Sequence, residues 1–262
     1  MSRYTIFRSS APAYDADAQA FMTAAGITDP IQQNAINQLV LDLKGYSIWT
    51  KFKAIYPFVG GTATTHKFNL KNPLDTNAAF RLVFNGGWTH SFNGALPNGT
   101  NAYADTKLLP QTIFGALDLS FGIYIPTAHK DQSGHGSWNG FGQRCNLIQF
   151  VGIHYSQITT TSTMAQVTAV LSKFISTSRL NATTHKLYNN GALLNTNTTN
   201  ETTILPDVNT FTWSYVNGSG ANTQYGNNEL RFSYISNGLT DTESANLYTA
   251  VQTFQTSLSR NV

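Results

Sequence analysis

Beyond Tyr46, apolar residues alternate with polar ones in short runs, and clusters such as Asn85-Gly86-Gly87, Pro97-Asn98-Gly99 and Asn217-Gly218-Ser219-Gly220 separate one run from the next. A period of two is what a strand with one buried face requires, because successive side chains point to opposite sides of a sheet. Parallel sheets need crossover helices, and no helical pattern stands between these runs. The spacing therefore predicts a mainly β chain, an antiparallel sandwich with strands over 52–58, 79–84, 88–92, 116–125, 146–155, 165–174, 185–188, 192–194, 211–216 and 230–235. Within it, Lys186-Leu187-Tyr188-Asn189-Asn190-Gly191-Ala192-Leu193-Leu194 predicts a hairpin, since Asn190-Gly191 readily takes the positive φ angles of a tight primed turn.

Helices are expected at both ends. Asp15 and Asp17 supply acids for the first turn of a helix that Gly26 stops with a left-handed cap. Thr28 or Asp29 can cap a second helix with Pro30 in its first turn. Its stripe of Ile31, Ala35, Leu39 and Leu43, widened by Ile36 and Val40, runs to Gly45 and has to bury against the sandwich or another subunit. Thr240 and Glu243 have capping-box spacing and open a terminal helix over 240–256. The organisation expected is an N-terminal arm with two helices over 1–45, serving docking and assembly, followed by a sandwich over 46–262.

Charged residues are only 11% of the chain, about half the usual share, so Asn and Thr must cover the surface. A neutral polar surface tolerates close packing against copies of itself, which favours a homo-oligomer. The net charge of +3 is too mild to indicate a polyanion partner. Lys44, Lys51, Lys53, Lys67 and Lys71 do form a stretch without an acid, but a solvated or subunit-facing surface accounts for it, and nucleic acid is not an expected partner. Cys145 is alone, which excludes an intramolecular disulfide and reads as a buried thiol. No apolar run reaches the ~20 residues of a membrane span, and Met1-Ser2-Arg3-Tyr4 does not open a signal peptide. Synthesis in a cytoplasm without membrane insertion is expected.

The Lys186–Gly191 hairpin, followed by a strand and by Asn237-Gly238-Leu239-Thr240-Asp241-Thr242-Glu243-Ser244-Ala245-Asn246-Leu247-Tyr248, resembles the laminin-G and concanavalin A-like jelly-roll superfamily over roughly residues 110–262. The N-terminal third is similar to structural proteins of tailed bacteriophages, especially those infecting Bacteroidetes. Gln33-Asn34-Ala35-Ile36-Asn37-Gln38-Leu39-Val40, Ala54-Ile55-Tyr56-Pro57-Phe58-Val59-Gly60-Gly61, Phe84-Asn85-Gly86-Gly87-Trp88-Thr89-His90 and Pro97-Asn98-Gly99-Thr100-Asn101 carry that likeness. The resemblance implies a jelly-roll virion component that meets other virion proteins, and fold likeness alone does not fix its role.

Catalytic chemistry is hard to place. Jelly-roll glucanases resemble one another in a Glu-x-Asp-x-x-Glu strand, and this chain has none; Glu201, Glu229 and Glu243 stand apart. Asp118 lies in a strand pattern but opposite to Leu117 and Leu119, as an outward, satisfied carboxylate would. His129 and His135 flank Asp131 in a glycine-rich stretch without a recognised ligand spacing, and no cofactor or metal centre is expected. Two aromatic, amide-rich stretches could stack on and hydrogen-bond a sugar: Trp138, Asn139 and Phe141, and Trp213, Tyr215 and Asn217. Tryptophans in sandwiches more often fill cores, and Trp49, Trp88 and Trp213 are read that way first. The expectation is a non-enzymatic bacteriophage structural protein of capsid or tail surface, located in the virion. The alternative is a fibre module that binds a host-surface glycan or receptor.

Overall fold

The computed structural model describes residues 13–114, 117–126, 132–138, 143–150, 153–159, 163–166, 173–202, 204–207, 210–213 and 225–261. Its helices are α1 (Ala16–Ala25), α2 (Pro30–Gly45), α3 (Ala63–His66), α4 (Pro110–Phe114) and α5 (Asp241–Ser257). Strands β1 (Phe52–Tyr56), β2 (Val83–Asn85), β3 (Trp88–Ser91), β4 (Gly94–Pro97) and β5 (Tyr103–Asp105) come first. There follow β6 (Leu119–Tyr124), β7 (Gln132–Trp138), β8 (Arg144–Phe150), β9 (Ile153–Ile158) and β10 (Thr163–Gln166). The last are β11 (Phe174–Asn181), β12 (Thr184–Asn189), β13 (Ala192–Asn197), β14 (Thr212–Trp213) and β15 (Phe232–Ser236).

Two antiparallel sheets face each other. One has the order β1-β15-β6-β11-β12-β13 and the other β10-β9-β8-β7-β14-β5-β2, while β3 and β4 make a separate hairpin. This is the expected jelly-roll sandwich with helices at both ends. Between the sheets lies one apolar cluster, with Tyr56, Phe121, Ile123 and Ile235 from the first sheet and Cys145, Leu147, Ile158 and Trp213 from the second. The outer face of the six-stranded sheet holds a second cluster, in which Phe52, Ile55, Tyr124, Phe174, Phe232 and Tyr234 meet α1, α2 and α5. With both faces covered, β6 is buried at every position, so its run reads as continuously apolar or small rather than alternating.

The local signals fold as their chemistry dictates. Asp29 accepts from the backbone N–H groups of Ile31 and Gln32 to open α2, Gly26 closes α1 at φ 68°, and Thr240 and Glu243 form the reciprocal box that opens α5. Asn190 and Gly191 both take positive φ between β12 and β13. The α2 stripe of Ala35, Ile36, Leu39, Val40 and Leu43 packs into the chain's own core, the first of the two partners its pattern allowed, so residues 13–45 lie as a helical layer against the sandwich.

Candidate functional site

The structure does not assemble the sugar-reading residues expected from sequence. Trp213 has no exposed surface; its ring packs edge-on to Phe211 at 5.1 Å and beside His135 at 5.6 Å. Its role as a ligand contact is therefore corrected to that of a core residue: a fully enclosed indole has no face to offer a sugar. Asn139, Phe141, Tyr215 and Asn217 lie outside the described residues, as does the side chain of Trp138.

Partly exposed aromatic rings converge elsewhere, on β2 and β3. Phe84 stands edge-on to Trp88 (centroids 5.2 Å) and to His90 (4.7 Å), and Trp88 and His90 lie nearly parallel at 6.2 Å. Alternation explains the grouping, because Trp88 and His90 project from the same side of a strand. Behind them, His66 is buried and shares one ring proton with His90 across 2.9 Å between their Nδ1 atoms. Burial holds the His66 imidazolium down to about 3 and lowers His90 as well, so this ledge is uncharged at neutral pH.

Amides frame the ledge. The Trp88 indole N–H donates to the Asn85 carbonyl at 2.9 Å. The Asn98 carboxamide oxygen accepts from the backbone of Thr100, Asn101 and Ala102, and its nitrogen donates to Asn101 Oδ1. That same oxygen accepts from Gly87 N. Gly86 sits at φ +75°, and a Cβ there would run into the Asn101 carbonyl, so the turn accepts only glycine. The two turns are thereby stapled together next to Trp88. Aromatic faces beside fixed amides offer apolar stacking together with oriented donors and acceptors.

The remaining reactive groups are committed to structure. Ser156, Thr177 and His185 form a fully buried hydrogen-bonded triangle between the sheets, with Ser156 Oγ 3.1 Å from His185 Nε2. Burial pushes the Cys145 thiol up to about 12, which leaves it protonated and inert. Asp118 accepts from Gly238 N and Asn237 Nδ2. His135 lies in β7 with no exposed surface, and burial holds it down to about 3. Among the described residues, no three His, Cys, Asp or Glu side chains converge, and no helix is long and apolar enough to cross a membrane.

Long-range acids answer most of the lysine stretch. Lys44 pairs with Asp15 and Asp17, Lys51 with Glu243, and Lys67 with Asp75. Lys71 instead lies 4.0 Å over the Trp49 ring.

No protein-family model and no curated protein sequence matches the chain. Solved structures do. A Trypanosoma rangeli sialidase in complex with 2,3-difluoro-KDN aligns with a TM-score of 0.53 at 12% identity, over 82% of this chain and 39% of that one. The same sialidase in complex with sialic acid gives 0.52 at 14% identity, over 74% and 32%. The binding domain of botulinum neurotoxin DC in complex with rat synaptotagmin II gives 0.50 at 12% identity, over 78% and 53%. This chain thus spans well under two thirds of each of these chains. At such identities the likeness establishes the sandwich alone. It also corrects the expectation of a non-enzymatic protein, which rested on the missing carboxylate strand: the fold is shared with chains of sialidases, which are enzymes.

Proposed function

We propose that this chain is a carbohydrate-recognising jelly roll carried in multiple copies on the surface of a bacteriophage particle, where it contacts other virion proteins and a host-surface glycan. The observation that carries the recognition part is the ledge of Phe84, Trp88 and His90, partly exposed, uncharged and flanked by amides held in place. The apolar face of a sugar ring stacks on such rings while its hydroxyls meet the amides. Among proteins that share the sandwich, one is seen in complex with sialic acid, which supports the reading. The virion setting rests on the phage-like N-terminal third and the sparsely charged composition.

A glycan array probed with the purified chain tests the recognition. Trp88→Ala is expected to lower binding roughly tenfold, the upper end of what one aromatic contact contributes, with circular dichroism verifying that the variant is folded. A folded wild-type chain that binds no glycan overturns the reading. Absence of the chain from purified phage particles by mass spectrometry overturns the virion setting.

A further inference from the structure

A cleft of about 230 Å³ opens between the first turn of α2, the segment after β1, the turn after β3 and the end of α5. Pockets for drug-sized ligands run ~300–1,000 Å³, so this one has room for a single small ring. Its walls include Ile31, 63% exposed, and Phe92, 70% exposed, the two most exposed large apolar side chains among the described residues. Two such side chains flanking one cleft differ from the scattered exposed apolar residues that any surface carries.

The polar lining is asymmetric. Gln32 is only 8% exposed. Its Oε1 accepts from Gly60 N at 2.7 Å, while its Nε2 has no partner among the described residues although the side chain lines the cleft. The nitrogen is not sealed from solvent, so its two N–H groups stay open to a bound hydroxyl. Asp29, three residues earlier, uses Oδ1 to cap α2, accepting from Ile31 N and Gln32 N, and its Oδ2 has no partner among the described residues. The hydroxyl-bearing Ser257 and Ser259 complete the rim. The nearest buried cation, Arg260, does not serve the cleft: it donates to the carbonyls of Pro57, Phe58 and Arg231 and to Gln255 Oε1 beneath it.

We infer that this cleft is a second saccharide subsite, which takes one neutral or amino-bearing pyranose ring and rejects an acidic one. Phe92 is the stacking wall, Gln32 Nε2 the donor and Asp29 Oδ2 the acceptor for ring hydroxyls. An aromatic wall with one donor and one acceptor matches a ring with an apolar face and a hydroxyl edge, and the Asp29 charge disfavours a carboxylate or phosphate. Phe92 follows His90 by two positions in the chain, which ties one wall of the cleft to the strand that carries the ledge. The inference rests on the carbohydrate reading above.

The test is an NMR titration of the isotope-labelled full chain with neutral hexoses, with glucosamine and with N-acetylneuraminic acid, each alone at tens of millimolar. The Gln32 side-chain amide and Gly60 N–H signals are expected to move with at least one neutral or amino sugar and not with the acidic one. Phe92→Ala, a change at an exposed site, should weaken that response roughly three- to tenfold. Gln32→Glu, which keeps the acceptor for Gly60 and removes the donor, should weaken it to a similar extent. Asp29→Asn, which still caps α2, should admit the acidic sugar. Glycan binding that depends on Trp88 while the Gln32 signals stay fixed sinks the cleft and leaves the ledge standing. Gln32 signals that respond as strongly to N-acetylneuraminic acid as to the others, or to no sugar at all, also overturn the inference.

Discussion

Acidification is expected to unfold this protein through two buried histidines. His66 is 1% exposed and His135 has no exposed surface; both are held down to about 3, by burial foremost, with the charges of His90 and Arg260 adding to it at His66. In the unfolded chain each returns to about 6.5. The sign follows from proton binding: below pH 6.5 the unfolded state takes up a proton per imidazole that the folded state refuses, so stability is full above that value and falls as pH drops toward 3. Each group then costs about 1.4 kcal/mol per pH unit. Two together remove on the order of 5 kcal/mol by about pH 4.5, comparable with the whole stability of many domains. The carboxylates held below their ordinary values, Asp15, Asp241 and Glu243, begin to add their loss from about pH 5 downward and contribute most of it below about pH 4. Urea unfolding at a series of pH values reads the proton uptake directly from the slope of stability against pH. At least about two protons are expected near pH 5, since His90 is lowered as well and adds to them, and about one fewer in His66→Phe, whatever the absolute stability of that variant. A flat profile down to pH 4.5, or a slope untouched by His66→Phe, refutes the reasoning.

Three further outcomes are expected. Gly136 sits at φ +141° where a Cβ would overlap the Cys145 carbonyl, so Gly136→Ala should cost at least about 3 kcal/mol by chemical denaturation, if the chain folds at all. Thr240→Ala removes the Thr240 half of the α5 capping box and should cost ~1 kcal/mol, a fall of about 2–4 °C in Tm. Deleting residues 1–45 removes α1 and α2 from the cluster they share with Phe52, Ile55 and α5; the truncated chain should be insoluble, and a soluble, cooperatively melting product would show that these two helices are dispensable.

What could be read from sequence was local. The Asn190-Gly191 turn, the Asp29 and Thr240 caps and the α2 stripe each carry their reason within a few residues, and each forms as its chemistry requires. Strand β7 escaped because Gly134 and Gly136 read as loop; the second is glycine because β8 passes too close for a side chain. Residues 146–155 read as one run, whereas β8 and β9 are partners in one sheet, since apolar content alone does not mark where a chain reverses. The lysine stretch looked unbalanced because the acids that pair with Lys44, Lys51 and Lys67 come from outside it, at residues 15, 17, 75 and 243. Trp88 was read as core or interface, because half-buried and fully buried rings share one alternation pattern. The cleft was invisible, as its walls come from residues 29–32, 59, 92 and 257–259, which no single pattern joins.

Among the described residues strand β1 pairs in its sheet with β15 alone, Phe52 opposite Ser236, about 180 residues downstream. A ribosome adding ~5–20 residues per second needs roughly 10 to 40 seconds to bring that partner out. Throughout that interval the nascent helices and β1 lack β15 and α5, which complete their cover. Yield in a cell should therefore track the supply of chaperones that shield emerging chains, more steeply than the stability of the finished molecule would suggest.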